Sequence, residues 1–212
     1  MKIYTQLPSP PEHKISVVER FEESSGFLVT KATKYRFNYD DQSTKEMVVD
    51  SIDRTVGNSA VAILAYTTSY MSDSMGQICV YLRSCIRPAL HKHSASNQWE
   101  IPAGIIENES VESAASRELM EEVGIYANPN YFHSLGKPYY SSVGVSGELI
   151  HLVKIEANPQ HIQKAESDGS PLEYGGQVIL VTIDGILKAI DSGQIQDSKT
   201  ILAITRFVLY NK

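Results

Sequence analysis

The sequence predicts an α/β or α+β sandwich that follows a small N-terminal β domain. Three strand-like runs come one after another near the N-terminus, and strand-like runs then alternate with helical patterns towards the C-terminus. The chain has 212 residues, which suits one compact domain with a smaller one attached. We therefore predict an N-terminal β domain at residues 1–55 and a second domain at residues 56–212.

The N-terminal domain is predicted from three runs that are rich in β-branched and aromatic residues. These runs cover residues 15–22, 27–39 and 45–52. Residues 38–43, Asn-Tyr-Asp-Asp-Gln-Ser, separate the second run from the third and have the composition of a turn. The simplest arrangement of the three runs is an antiparallel β-meander.

The second domain begins with short apolar runs at residues 60–66 and 78–82, which have the length of strands. A helix is predicted at residues 110–123, with Ser110 as its N-cap and Gly124 as the left-handed residue after its end. The remaining predicted elements are strands at residues 149–155 and 177–183 and helices at residues 184–190 and 198–210.

Composition and charge narrow the classes of function. Hydrophobic residues make up 42% of the chain and charged residues 21%, as in ordinary globular proteins. The net charge of -6 argues against a nucleic-acid partner, which requires a basic surface. Cys79 and Cys85 form no CxxC pair and no zinc spacing, which favours isolated reduced thiols. No apolar run marks a signal peptide or a membrane span, so we expect a cytoplasmic protein with no membrane partner.

One segment carries a chemical pattern, GIIENESVESAASRELMEEVGI at residues 104–125. Glu118, Glu121 and Glu122 fall within roughly 100° of arc on one face of the predicted helix. Glutamates on a helix usually form a solvated acidic face. Here, however, the helix follows a Pro-Ala-Gly turn at residues 102–104, which brings backbone carbonyls beside that face. Carboxylates together with a carbonyl are hard oxygen ligands that suit Mg²⁺ or Mn²⁺.

The same segment resembles the Nudix box. The residues that match at the family spacing are Glu109, Arg117, Glu118, Leu119, Glu121, Glu122, Gly124 and Ile125. Gly104 matches in kind, but four residues instead of five separate it from Glu109, so we expect a tighter turn before the helix. The resemblance implies that Arg117 pairs with Glu109 and holds the loop against the helix. Gly104 and Gly124 are likewise structural residues of the motif.

The resemblance implies that the second domain is a Nudix α/β/α sandwich with a mixed sheet. It also implies a metal site and a reaction. Glu118 and Glu122 would be the principal ligands of Mg²⁺, which Mn²⁺ could replace. Glu121 would assist them and belongs to the catalytic residues, and the carbonyl of Ala103 would complete the shell. The reaction implied is metal-assisted attack on phosphorus.

The flanking segments resemble those of ADP-ribose and nucleotide-sugar pyrophosphatases. Residues 80–88, VYLRSCIRP, carry Arg83 and Arg87. Arg87 is the better candidate for binding a substrate phosphate, and an ion pair at the surface is an equally weighted alternative. Residues 142–148, SVGVSGE, resemble the Ser-Pro-Gly-x-Ser-x-Glu loop of this branch, with Val143 in place of proline. The candidate substrate-binding residues in this loop are Ser142, Gly144, Ser146 and Glu148.

The implied activity is hydrolysis of nucleoside-diphosphate sugars, including ADP-ribose, to a nucleoside monophosphate and a sugar phosphate. The general base would be Glu173, with Glu166 as the alternative, on the loop after the strand that ends near Ile155.

The three N-terminal strands are too small to fold alone, and the resemblance implies that they pair two subunits in a homodimer. Two other functions stay open: hydrolysis of dinucleoside polyphosphates or damaged nucleotides, and a non-catalytic module that senses nucleotide sugars.

Overall fold

The structure is a computed structural model that describes residues 14–25, 28–40, 43–69, 76–93, 97–163 and 177–210. The chain divides into two compact units. The first comprises Met1–Thr55 and Gly144–Gly147, and the second comprises Val56–Val143 and Glu148–Lys212. Among the described residues, no helix has the length and apolar character needed to cross a membrane.

The first unit is a three-stranded antiparallel sheet in the order β1 (Lys14–Ser25), β2 (Leu28–Asn38) and β3 (Thr44–Arg54), which confirms the predicted meander. The backbone N–H of Tyr39 donates to the carbonyl of Ser43 at 3.0 Å and so closes the turn between β2 and β3. The short segment Gly144–Gly147 joins this unit, because Ile52 on β3 donates its N–H to the carbonyl of Val145 at 2.8 Å.

The second unit is built on an eight-stranded mixed sheet. In chain order its strands are β4 (Ser59–Ser69), β5 (Gln77–Ile86), β6 (Asn97–Glu100), β7 (Ala103–Ile105), β8 (His133–Ser134), β9 (Tyr139–Tyr140), β10 (Leu149–Glu156) and β11 (Val178–Thr182). The main path across the sheet is β11-β5-β4-β10-β8, while β6 pairs with β5, β7 with β4 and β9 with β10. The β4–β10 pair is parallel and the other pairs are antiparallel, so the sheet is mixed.

Helices cover both faces of this sheet. They are α1 (Val111–Val123), α2 (Ile183–Asp191) and α3 (Ser198–Tyr210), and short 3-10 helices lie at Pro88–His93, Pro129–Tyr131 and Pro159–His161. Successive side chains of a strand point to opposite faces, so β4 contributes to two separate cores. Its residues Val61 and Ile63 pack in the cluster that contains α1, whereas Ala62 and Leu64 pack in the cluster that contains α2 and α3. This arrangement confirms the predicted α/β/α sandwich.

The sequence did not predict β6, β7, β8 and β9. Strands β6 and β7 are interrupted by Ile101 and Pro102, and a proline has no N–H to donate to a neighbouring strand. Strands β8 and β9 have only two residues each, too few for an alternating pattern to appear. The missed strands matter for function, because β7 forms one wall of the cleft described next.

Candidate active site

Local sequence signals fix the helix that carries the acidic residues. Ser110 caps α1, and its side-chain oxygen accepts a hydrogen bond from the backbone N–H of Ser113 at 3.1 Å. At the other end Gly124 adopts a left-handed conformation with φ 78°, and its N–H donates to the carbonyl of Met120 at 3.0 Å. Both ends of α1 therefore lie where the sequence predicts them.

A cleft of about 410 Å³ lies between α1 and β7. The residues that line it are Ala103, Gly104, Ile105, Glu107, Arg117, Glu118, Glu121 and Glu122. The three helix glutamates differ in exposure: the side chains of Glu118 and Glu122 are 11% and 7% exposed, while that of Glu121 is 30% exposed. The fold thus brings the predicted metal ligands together and buries two of their carboxylates. The cleft also contains Glu107, which the sequence did not single out.

Gly104 lies directly against the carboxylate of Glu118. A Cβ atom at position 104 would lie 1.8 Å from Oε1 of Glu118, so any side chain there would displace this carboxylate. This close approach favours glycine, because a side chain at position 104 would take the space of the Glu118 carboxylate. The structural role that the sequence predicts for Gly104 therefore has a direct steric reason.

Arg117 joins the loop before α1 to the acidic face. Its guanidinium donates to Glu109 at 2.8 Å and to the carbonyl of Ile105 at 3.0 Å, and it also contacts Glu118 at 2.6 Å and Glu121 at 3.1 Å. Burial alone lowers the pKa of Arg117, but the hydrogen bond to Glu109 and the charge of Glu118 raise that pKa above its ordinary value. The shortened loop thus still allows Arg117 to reach Glu109.

Glu122 forms a second, more deeply buried ion pair. One of its carboxylate oxygens accepts from the guanidinium of Arg83 on β5, and the other accepts from the backbone N–H of Ala103 at 2.8 Å. The side chain of Arg83 is only 5% exposed. This geometry does not favour the predicted contact between Arg83 and a substrate. Alternation along β5 could have placed Arg83 on the face of α1, because Tyr81 packs in the core beside that helix.

The donor set of the cleft suits a hard divalent cation. In the ladder between β4 and β7, the N–H of Ile63 donates to the carbonyl of Pro102 at 2.8 Å, and the backbone groups of successive residues in a strand face opposite edges. The N–H of Ala103 faces Glu122, so its carbonyl lies on the same edge. Within the described ranges, no three acidic, histidine or cysteine side chains converge as tightly as a bound ion requires. The carboxylates of α1 are paired with Arg83 and Arg117 instead.

Arg87 forms an ion pair, which the sequence analysis had left open as the alternative to phosphate binding. Its Nε and one terminal nitrogen donate to the two carboxylate oxygens of Glu100, at 2.8 and 2.6 Å. Glu100 also contacts Lys199 at the start of α3, and Lys199 contacts Asp197 at 2.8 Å. Burial alone raises the pKa of Glu100, but the hydrogen bonds from Arg87 and the charge of Lys199 lower it to about 2.

The predicted substrate loop is divided between the two units. Gly144 and Ser146 belong to the first unit, whereas Ser142 and Glu148 belong to the second. The backbone N–H of Ser141 donates to the carbonyl of Glu148 at 3.1 Å, which closes the base of the loop. A Cβ at position 144 would meet no atom of the described part of the chain within 4 Å, so packing there does not require glycine. The two candidates for the general base, Glu166 and Glu173, lie outside the described residues.

Comparisons with known proteins identify a family and related proteins. A family profile described as the NUDIX domain matches residues 66–174, just over half of the chain. An ADP-ribose pyrophosphatase of Bacillus subtilis (strain 168) is 35% identical over 108 residues, or 50% of this chain and 54% of that protein, so the chain spans about half the length of this relative. A GDP-mannose pyrophosphatase of Yersinia pestis (strain Pestoides F) is 24% identical over 176 residues, 82% of each protein.

A solved structure described as an ADP compounds hydrolase has a TM-score of 0.69 with this chain. The similarity covers 95% of this chain and 96% of that chain at 16% sequence identity, which shows a common fold. The family is shown separately by the profile match, which includes the carboxylate helix and the loop that Arg117 holds against it. The chain therefore belongs to the Nudix family.

Proposed function

We propose that this protein is a metal-dependent hydrolase of nucleoside-diphosphate sugars, including ADP-ribose. It would cleave the pyrophosphate bond to give a nucleoside monophosphate and a sugar phosphate. The observation that carries the proposal is the cleft in which Glu118, Glu121 and Glu122 face the backbone of β7. The substrate class is supported by two relatives, which are named as pyrophosphatases of ADP-ribose and of GDP-mannose.

Mg²⁺ is the proposed cofactor, and Mn²⁺ is expected to replace it. Glu118 and Glu122 would be the principal ligands, with Glu121 and the carbonyl of Ala103 completing the set, because carboxylate and carbonyl oxygens suit these hard cations. When bound, the cation neutralises the diphosphate and polarises a water molecule. The role of Arg117 is to hold the loop at Ile105 against α1, so that the carboxylates keep their places beside β7.

Arg87 is the proposed phosphate-binding residue, although its ion pair with Glu100 already occupies two of its nitrogens. Because Glu100 accepts from Nε and one terminal nitrogen, a phosphate would reach Arg87 through its other terminal nitrogen or by replacing Glu100. The sugar would be recognised by the loop that contains Ser142, Ser146 and Glu148, since hydroxyl and carboxylate groups form hydrogen bonds with sugar hydroxyls. Val143 in this loop is 87% exposed. Because it is not a proline, it leaves the loop a backbone N–H donor and a different shape.

For the general base we propose Glu173 ahead of Glu166. Glu173 precedes β11 by only a few residues, and β11 pairs with β5, the strand of Arg83. The test compares Glu173→Gln with Glu166→Gln in kcat at saturating substrate. The variant that lacks the base loses most of its turnover, while the other serves as its matched control. Near-normal turnover of Glu173→Gln together with a large loss in Glu166→Gln would reverse the assignment.

We also propose that the protein is a homodimer through its first unit and that it works in the cytoplasm. The first unit exposes several large apolar or aromatic side chains, namely Val18, Leu28, Tyr39, Met47 and Val48. Large apolar side chains that stay exposed on a small sheet are typical of surfaces that another protein covers. A second copy of this chain is the partner that the family resemblance implies.

The substrate class is tested by a product assay with Mg²⁺ and a panel of nucleotides. We expect hydrolysis of ADP-ribose and of at least one hexose nucleotide, such as ADP-glucose, UDP-glucose or a GDP-sugar. Nucleoside triphosphates should be poor substrates, because they present no sugar to the loop that contains Ser142. A kcat/KM for a triphosphate above that for every nucleotide sugar would contradict the proposal. Binding of nucleotide sugars without any turnover would instead indicate a sensing module.

A further inference from the structure

The ion pair between Arg83 and Glu122 occupies one of the proposed metal ligands. Glu122 uses one carboxylate oxygen for the guanidinium of Arg83 and the other for the N–H of Ala103. Both members of the pair are almost fully buried, with side-chain exposures of 5% and 7%. The two oxygens of Glu122 are therefore already engaged by groups of the protein itself.

The position of Arg83 follows from the strand that carries it. Alternation along β5 puts Tyr81 and Arg83 on the same face, and Tyr81 packs with Ala114 and Leu119 of α1. The guanidinium thus enters at the edge of an apolar core, where an arginine is stable only if a carboxylate neutralises its charge. Glu122, near the end of α1, supplies that carboxylate.

Arg117 differs from Arg83 in both position and anchoring. Its side chain is 34% exposed, and it has other partners in Glu109 and the carbonyl of Ile105 that do not belong to the proposed metal ligands. Arg117 can therefore loosen its contact with Glu118 without losing its place. Arg83 lies deeper, so a cation that binds Glu122 has to share that carboxylate with a buried positive charge.

We propose that Arg83 is an internal counter-ion of Glu122 that competes with the divalent cation and so sets how tightly the cleft binds it. This inference rests on the proposed function, because it takes Glu122 as a metal ligand. Two positive charges beside one buried carboxylate repel each other strongly where water is largely excluded. Arg83 consequently weakens metal binding, while it stabilises the fold around Glu122 whenever the metal is removed. It is a positioning residue, and it needs no contact with the substrate.

The test measures Mn²⁺ binding to the full chain without substrate, by the electron paramagnetic resonance signal of free Mn²⁺. Arg83→Met keeps a similar volume without the charge, and it should bind Mn²⁺ about tenfold more tightly or better than the wild type. Arg83→Lys retains the charge and should stay closer to the wild type. Lys188→Gln removes one exposed positive charge from α2 and should change the Kd by less than about twofold, since solvent screens it.

A second measurement follows thermal unfolding in EDTA, where no metal contributes. Glu122→Gln should lower the Tm by several degrees, because it removes the carboxylate that pairs with the buried guanidinium of Arg83. The double variant Arg83→Met/Glu122→Gln should be more stable than Glu122→Gln alone, since it removes both charges. This comparison tests whether Arg83 is the counter-ion of Glu122 even if Arg83→Met alone is not recovered in a folded form.

The outcomes separate the inference from the proposed function. Equal or weaker Mn²⁺ binding by Arg83→Met would overturn the inference, as would a double variant no more stable than Glu122→Gln. A wild-type protein that binds no Mn²⁺ would overturn the metal site itself. Tighter binding by Arg83→Met with little change in Lys188→Gln is the result expected.

Discussion

At the scale of single residues, the acidic face of α1 consists of carboxylates with different environments. Glu118 and Glu122 are mostly buried, whereas Glu121 is more exposed. In the ion pairs described, Arg117 contacts Glu118 and Glu121, and Arg83 contacts Glu122. A carboxylate held in a fixed, partly dry position binds a cation better than one that moves in solvent. We therefore expect metal-dependent activity to depend most on Glu118 and Glu122.

We predict that Glu118→Gln and Glu122→Gln each lower kcat by roughly 100-fold or more, because the cation loses a charged ligand while the amide keeps the shape of the side chain. Steady-state kinetics with ADP-ribose and Mg²⁺ measures the effect, and circular dichroism checks that the variants are folded. Glu112→Gln is the matched control, since Glu112 lies on the same helix in an exposed position. Wild-type activity in either box variant would exclude that residue as a ligand.

At the scale of secondary-structure elements, Glu100 connects parts of the second unit that are far apart in sequence. It lies at the end of β6 and binds Arg87 beside the 3-10 helix Pro88–His93, and it also binds Lys199 at the start of α3. Asp197 next to Lys199 accepts from the backbone N–H of Thr200 at 2.9 Å and so caps α3. The charge of Glu100 thus fixes the beginning of one helix against the sheet.

This arrangement predicts how stability depends on pH. The pKa of Glu100 falls from 4.5 to about 2 in the folded protein, so its ionised form contributes stability above pH 4.5 that is lost as the pH falls towards 2. The size of this contribution is about 3 kcal/mol. Glu100→Gln should therefore unfold at much lower urea concentration at pH 7, and the difference from the wild type should shrink between pH 5 and pH 2.

The control for this experiment is Asp191→Asn, which removes an exposed carboxylate at the end of α2. Its effect on the urea midpoint should be small at every pH. Equal midpoints for Glu100→Gln and the wild type at pH 7 would show that the ion pairs with Arg87 and Lys199 contribute no net stability.

The sequence predicted those elements whose signals are local. The ends of α1 follow from Ser110 and Gly124, and the meander follows from three β-rich runs, because caps and alternation act within a few residues. The partners of Glu100 and Glu122 could not be predicted in this way. Lys199 is 99 residues from Glu100 and Arg83 is 39 residues from Glu122, so only the folded sheet brings them together.

At the scale of the whole molecule, the exposed apolar residues of the first unit lead to a prediction about assembly. Light scattering at micromolar concentration should give a mass of twice 23.5 kDa. Met47→Glu combined with Val48→Glu should shift the protein towards the monomer, since both residues are more than half exposed on β3 and charge disfavours an apolar interface.

The matched control is Leu209→Glu, which adds a charge at an exposed apolar residue on α3 in the second unit. It should leave the mass unchanged. A wild-type monomer with full activity at micromolar concentration would refute the dimer.

The parallel pair of β4 and β10 at the centre of the sheet has a consequence for how the chain folds. Thr68 and Glu156, which are joined by a hydrogen bond of 3.2 Å between these strands, are 88 residues apart in sequence. During synthesis β4 leaves the ribosome long before β10 exists. Strands β5 and β7 can pair with one edge of β4, but the edge that β10 occupies stays unpaired until β10 is made. Contacts of such separation slow folding, because a long loop has to close before they form. The nascent chain is therefore most prone to aggregation in the interval between the synthesis of β4 and that of β10.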